Sequence, residues 1–267
     1  MTSEIRILGI EGIPEVHPGD DLASLILAAL EGPSRPSRDD PVGTGGPGIN
    51  GEALRNGDIL VVAQKVVSKA EGRTLALADV EPSEEAQRIA LQDAKDPRHI
   101  EIMLRESVRT VRHGHRVLIC ETRHGFVCAN AGVDLSNAPG EADGGEVAIL
   151  LPEDPDASAE RIRAALGPGR GVVISDTFGR PWREGLLDLA IGVAGMAPLR
   201  DQRGDLDREG RELQVTVMAL ADQLTAAAGM LMEKSSGIPA VWVEGVTPDG
   251  EGSLADLLRD PENDLFR

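Results

Sequence analysis

The sequence predicts a mixed α+β protein, and not a Rossmann fold, a TIM barrel or a P-loop fold. Two observations carry this reading. Strand-like and helix-like runs follow one another without the regular strand–helix–strand period of parallel α/β folds, and no internal repeat is visible. The two glycine patterns that would signal a nucleotide fold also fail in context. Gly43, Gly45 and Gly48 satisfy G-x-G-x-x-G, but no strand precedes them, no helix follows, and Pro47 fits the motif poorly. "GMLMEKSS" (229–236) has Glu233, not glycine, before its lysine, and it ends a predicted helix where a P-loop would open one.

Each element has a local reason. "EIRILGI" (4–10) alternates as a strand does, and "DDLASLILAAL" (20–30) has helical apolar spacing, with Asp20 or Asp21 as N-cap. The stretch 31–57 is rich in Pro, Gly and charge and has no periodicity, which predicts a flexible surface insertion. "ILVVAQ" (59–64) is a short buried strand. "SEEAQRIALQDA" (83–94) and "DPRHIEIMLRES" (96–107) are helices, the second capped by Asp96 with Pro97 in its first position. "RVLICET" (116–122) and "EVAILLP" (146–152) are strands, "SAERIRAAL" (158–166) is a helix, and "GVVISD" (171–176) is a strand. "LQVTVMALADQLTAAAGMLM" (213–232) reads as one long Ala-rich helix, "AVWVEG" (240–245) as a strand, and a short helix closes the chain.

Composition narrows the function. The chain has 267 residues, enough for one large domain or two small ones. Aromatic residues make up 2 % and the net charge is −18, so stacking platforms are scarce and phosphate backbones and anionic membranes are repelled. Any anionic ligand therefore needs local cations or a metal ion. Cys120 and Cys128 form no metal-type pair and read as two reduced thiols. No signal-peptide pattern or membrane-length apolar run appears, which predicts a soluble cytoplasmic protein. His113 and His115 share strand spacing but have no third ligand and read as surface residues.

Six stretches can carry chemistry, each with an ordinary reading beside it. "GIPEVHPGDD" (12–21) can cradle a base or phosphate, or be a plain loop. In "AQKVVSKAEGR" (63–73), Lys65, Lys69 and Arg73 are four apart and on a helix share one face, to meet phosphate or only solvent. "CANAGVDLSN" (128–137) offers Asn130, Asp134, Ser136 and Asn137, an oxygen set suited to Mg2+ or Mn2+ or to an Asx-rich turn. In "LLPEDPDASAERIR" (150–163), Asp154 and Asp156 can bind metal, but Asp156 reads better as a helix cap with Glu160 in the first turn. "ISDTFGRPWREG" (174–185) places Asp176 and Thr177 at a strand end, followed by Arg180 and Arg183, which can grip phosphate or carboxylate. "DQRGDLDREGRELQVTV" (201–217) is a functional loop or merely a charged one. Jointly they offer hard-cation ligands and phosphate-seeking cations without a nucleophile–base pair. That combination suits nucleotide-dependent phosphoryl chemistry without a P-loop.

In this order the six stretches closely resemble the coenzyme F420-0:L-glutamate ligase family (the CofE type), over nearly the whole chain apart from 31–57. The resemblance implies a ligase domain spanning 1–267, in the mixed α/β layers of that family, found as a homodimer with active sites near the interface. Some relatives append a flavin-dependent reductase domain, and since this sequence ends at Arg267 that activity is expected to be absent. It implies GTP as co-substrate, Mg2+ or Mn2+ (two per site) and K+. L-Glutamate would be joined to the lactyl carboxylate of F420-0 through an acyl phosphate, with further γ-linked glutamate possible. By motif, Asp134, Asp176 and Thr177 become metal ligands, and Arg180 and Arg183 steady anionic groups beside them. Ile13, Pro14, Glu15, Val16, Gln64, Lys65, Lys69 and Asn137 become the GTP pocket, with Met232, Glu233, Lys234, Ser235, Ser236, Gly237, Ile238 and Pro239. Here the chain departs from the pattern: Lys234 stands where some members have a metal-binding Glu, and Glu233 where they have Gly. Two other readings fit the same residues, a metal-dependent phosphatase or phosphotransferase and a non-catalytic nucleotide-binding protein.

Overall fold

The computed structural model describes residues 4–31, 58–135 and 146–264. Nearly all of the expected insertion, together with Ser136 and Asn137, lies outside the described residues.

β1 (Arg6–Gly9) leads to α1 (Leu22–Glu31), and β2 (Ile59–Ala63) passes directly into α2 (Gln64–Ala70). Next come β3 (Thr74–Ala76), α3 (Glu84–Asp93), α4 (Pro97–Arg105), β4 (Ser107–Gly114), β5 (Val117–Thr122), β6 (Val127–Ala129) and β7 (Val147–Ile149). α5 (Pro155–Leu166), β8 (Gly171–Arg180), β9 (Arg183–Ala194), β10 (Leu199–Asp201), β11 (Val217–Ala219), α6 (Leu220–Ala228) and β12 (Ala240–Glu244) follow, then 3-10 turns at Leu254–Leu257 and Pro261–Asn263. Among the described residues the architecture is mixed α/β, with several open sheets and no barrel.

The central sheet has the order β1-β12-β2-β8-β9. All its pairs are antiparallel except β2 with β8. The run "ILVVA" is uninterruptedly apolar because both faces of the sheet are covered. Leu60, Val62, Val172, Ile174 and Trp242 pack with Ile26 and Leu30 of α1 and Ile162 and Leu166 of α5. Ile59, Val61, Val173, Val241 and Val243 pack on the other side with Leu220, Leu224 and Ala228 of α6. Trp242, fully buried, donates its indole N–H to Asp58 at 3.1 Å. A separate core joins Ile89 of α3 and Ile100 and Met103 of α4 to Leu118 and Cys120 of β5. Cys120 and Cys128 are buried free thiols, paired in register across β5 and β6. Among the described residues, no helix is long and apolar enough to cross a membrane.

Four expectations are corrected. The long helix at 213–232 is β11 followed by α6, because β-branched Val215, Thr216 and Val217 favour extended chain and β11 pairs with β10. β8 does not stop at Asp176 but runs on to Arg180, as one arm of a hairpin with β9, a strand the sequence reading missed. The cap of α5 is Asp154, whose side chain accepts from Ala157 N at 3.0 Å, with Pro155 in the first turn. Asp156 instead lies inside that turn, where it accepts from Val193 N at 2.7 Å and Leu254 N at 2.9 Å. Arg73 lies beyond the end of α2 and leaves the lysine face. Its guanidinium holds Glu106 at 2.8 Å and the Leu151 carbonyl at 2.9 Å.

Candidate active site

A recess opens where the parallel pair comes apart. β2 ends at Ala63, opposite Ser175, and turns at once into α2, while β8 continues into its hairpin. The carboxyl ends of parallel strands are where open sheets leave a crevice for ligands. The recess encloses about 350 Å3, within the range of about 300–1,000 Å3 usual for small-molecule sites.

Five segments wall it. The loop Ile13–Val16, between β1 and α1, is anchored by Val16, which is buried in the core. α2 supplies Gln64, Lys65 and Lys69. Gln64 is pinned, its amide donating to Ser68 Oγ at 2.6 Å and to the Leu150 carbonyl at 3.0 Å. Asp134 is delivered by a turn in which Asn130, Ala131 and Gly132 all have positive φ (55°, 55° and 69°), and only Gly132 adopts that conformation without steric cost. A Cβ on Gly132 would also meet Leu151 Cδ1 at 2.8 Å. Asp134 is then held by two backbone hydrogen bonds with Ile149, at 3.0 and 2.8 Å. The hairpin supplies Ser175, Asp176 and Thr177 from β8 and Leu186 and Asp188 from β9. The last wall is Met232, Glu233, Lys234, Gly237, Ile238 and Pro239.

Charges are arranged in opposed sets. Lys65 Nζ lies 2.7 Å from Asp134 Oδ2. Lys69 Nζ lies 2.6 Å from Glu15 Oε1, with the lysine side chain 9 % exposed and Glu15 60 % exposed. Removal from water pushes the Asp176 carboxyl up to about 7. The Thr177 backbone N–H and Lys65 oppose that rise, and the neighbouring Asp134 and Asp188 reinforce it. A carboxylate held at such a cost favours an incoming cation. The donors are all oxygens, the set hard cations take. They fit Mg2+ or Mn2+, although they spread around the recess and do not gather at one point. Among the described residues, the set of three potential ligands within 4.8 Å of one another is Asp96, His99 and Glu146, on a different part of the molecule. Arg98 already hydrogen-bonds both carboxylate oxygens of that Asp96 and holds its carboxyl down at about 2.

The structure thus gathers most of the residues singled out in the sequence. Ser235 and Ser236 do not line the recess, and Ser236 instead closes a turn by donating to the Glu233 carbonyl at 2.8 Å. Arg180 and Arg183 lie opposite each other at the hairpin tip, outside the recess. The Arg180 guanidinium donates to the Glu184 carbonyl at 2.7 Å. Asn130 does not line the recess either. Asp188 was missed. Its signal is a single acid inside "LLDLAIGVA", a stretch that reads as strand once its apolar run is noticed.

Residues 10–245 match the family model described as F420-0:Gamma-glutamyl ligase. The chain is 45 % identical over 272 residues to the coenzyme F420:L-glutamate ligase of Methanothermobacter thermautotrophicus, covering 98 % of this chain and 99 % of that one. It is 43 % identical over 273 residues to the protein of the same name from Methanopyrus kandleri, covering 97 % and 98 %. To that from Archaeoglobus fulgidus it is 38 % identical over 269 residues, covering 98 % and 96 %.

Proposed function

The chain belongs to the F420-0:gamma-glutamyl ligase family and is an enzyme of coenzyme F420 biosynthesis, an L-glutamate ligase, and on that premise we propose how its recess serves the reaction. GTP binds with its phosphates toward Lys65 and Lys69 and its remainder along Ile13–Val16 and Met232–Pro239. Asp134, Asp176 and Thr177 hold Mg2+ or Mn2+. When bound, the cation neutralises phosphate charge.

The observation that carries this reading is the meeting, in one recess, of two lysines from α2 with Asp134 from the turn before Leu135 and with Asp176 and Thr177 from β8. A carboxylate is a poor electrophile for an amine. Transfer of the γ-phosphoryl group to the lactyl carboxylate gives an acyl phosphate and GDP. The glutamate amine then attacks the acyl carbon, and phosphate leaves. Such chemistry asks the protein for alignment and charge neutralisation, not for a covalent nucleophile.

The chain's own groups supply both. Lys65 and Lys69 exchange their present carboxylate partners for phosphate oxygens, and Lys234 contacts phosphate from the facing wall. Burial of the recess strengthens each charge interaction. Arg180 and Arg183, beyond the recess at the hairpin tip, meet anionic groups of substrate that extend out of it. Trp182 and Leu186 on the same hairpin are 81 % and 65 % exposed, as apolar residues at a homodimer contact would be in a separated chain.

The test is product mass after incubation with GTP, Mn2+, L-glutamate and F420-0. One added glutamyl residue, lost in Asp176→Asn, is expected. Phosphate release without a mass gain would favour a phosphatase, and no turnover would favour a binding protein.

A further inference from the structure

Asp188 has no part in the ligand set drawn above, yet its surroundings are specific. It stands directly opposite Thr177 in the β8–β9 register, and Thr177 Oγ1 donates to its Oδ1 at 2.6 Å. Its backbone is tied down as well, the Asp188 carbonyl accepting from Thr225 Oγ1 of α6 at 3.0 Å. Its other oxygen lies against Gly229 at the end of α6, where a Cβ would come within 2.0 Å of Oδ2 and 2.9 Å of Cγ. Gly229 thus leaves the room the carboxylate occupies. Among the described residues no Lys or Arg forms a salt bridge with Asp188, so a counter-ion does not explain the acid.

A hydroxyl has one proton to give and two lone pairs to offer. Spent on a fixed carboxylate, the proton cannot turn into the recess. What Thr177 then presents to the recess is lone pairs alone. Such an oxygen can ligate a cation and cannot donate to a phosphate oxygen. The pull of the carboxylate on the proton also makes that oxygen more basic, as outer partners do for metal ligands generally.

We propose that Asp188 is a positioning residue that commits Thr177 to cation binding by taking up its hydroxyl proton. The inference rests on the reading of the recess as a cation site. It assigns Asp188 a part through Thr177, separate from the roles of Asp134 and Asp176.

The test is Mn2+ binding followed by the electron paramagnetic resonance signal of free Mn2+, on the full chain with and without GTP. The variants are Thr177→Val, Asp188→Ala, Asp188→Asn, Thr177→Val/Asp188→Ala and Asp176→Asn, each checked for folding by circular dichroism. Asp188→Ala is expected to weaken Mn2+ binding by about 10- to 100-fold, the usual effect of losing an outer partner. Thr177→Val should weaken it comparably, and the double variant should lose no more than the worse single one. Asp188→Asn keeps an acceptor for the hydroxyl and should recover most of the affinity. If Asp188→Ala folds poorly, Asp188→Val, a strand-forming residue that offers the hydroxyl no acceptor, takes its place.

Wild-type affinity in Asp188→Ala, with affinity lost in Asp176→Asn, overturns this inference and leaves the cation site standing. Additive losses, or Asp188→Asn as weak as Asp188→Ala, also overturn it, since Asp188 would then act by charge and not through the hydroxyl. Equal Mn2+ binding by wild type and Asp176→Asn, or none by wild type, overturns the cation site itself.

Discussion

Lys69→Ala tests the nucleotide pocket, and the structure sets the size of the effect. The Lys69 ammonium is nearly buried and lies 2.6 Å from Glu15, whose side chain is 60 % exposed. Phosphate must therefore displace a carboxylate that is already there. A charged hydrogen bond to phosphate contributes about 1.5–3 kcal/mol. Surrendering a pair with a largely exposed glutamate costs about 0–1 kcal/mol. The difference centres on about 1–2.5 kcal/mol, so Lys69→Ala should raise the Kd for GTP by roughly 5- to 70-fold. The same ledger predicts the opposite sign for Glu15→Gln, which removes the competing anion and should tighten GTP by up to about 5-fold. Calorimetric titration of GTP at fixed Mn2+ measures both, with circular dichroism to check folding. An unchanged Kd in Lys69→Ala would refute the phosphate contact. Weakening by Glu15→Gln as large as that by Lys69→Ala would refute the exchange of partners.

Other perturbations test the rest of the account. Asp134→Asn and Asp176→Asn should each abolish ligation while their circular dichroism spectra match wild type, and turnover at the wild-type rate in either would remove it from the reaction. Burial pushes the Cys128 thiol up to about 12, so at pH 8 it should not react with a thiol reagent until the chain unfolds, and Cys120, fully buried, should be out of reach of one. The sign follows from the same shift. The unfolded chain releases the Cys128 proton near the ordinary thiol value of about 9 and the native chain holds it, so stability from this group is complete below about pH 9 and falls as pH rises toward 12. A cysteine titrated rapidly in the native protein at pH 8 would contradict that burial. Gly192→Ala places a Cβ 2.5 Å from the Pro155 backbone, and should cost about 1–3 kcal/mol in urea denaturation through overpacking. Wild-type stability would mean that the start of α5 does not press on β9 as described.

Much of the fold was legible because its signals are local. "ILVVA" and "AVWVE" declared central strands by unbroken apolar character, and Asp96-Pro97 declared a helix start by chemistry that needs no tertiary partner. β9 and β11 were harder to read. β9 carries Asp188 in its middle and glycines at 185 and 192, so its apolar run is broken and its pairing with β8 is a tertiary fact. "LQVTVMALADQL" held a strand and a helix end to end, and the Ala-rich half dominated the pattern. Asp154 and Asp156 were interchanged because both can cap a helix, and what decides between them is that Val193 and Leu254 present backbone N–H groups to Asp156. Within the site, Lys65, Lys69, Asp134 and Asp176 were readable as residue types, but periodicity misassigned Arg73. It keeps the four-residue spacing after the helix has ended at Ala70.

The central claim is that the recess activates a carboxylate by phosphorylating it. F420-0 carrying 18O in its lactyl carboxylate, incubated with GTP, Mn2+, L-glutamate and the wild-type chain, tests this most directly. If the carboxylate oxygen attacks the γ-phosphorus and departs with phosphate when the amine attacks, one 18O should appear in inorganic phosphate for every amide formed. Amide formation with unlabelled phosphate would contradict an acyl-phosphate route.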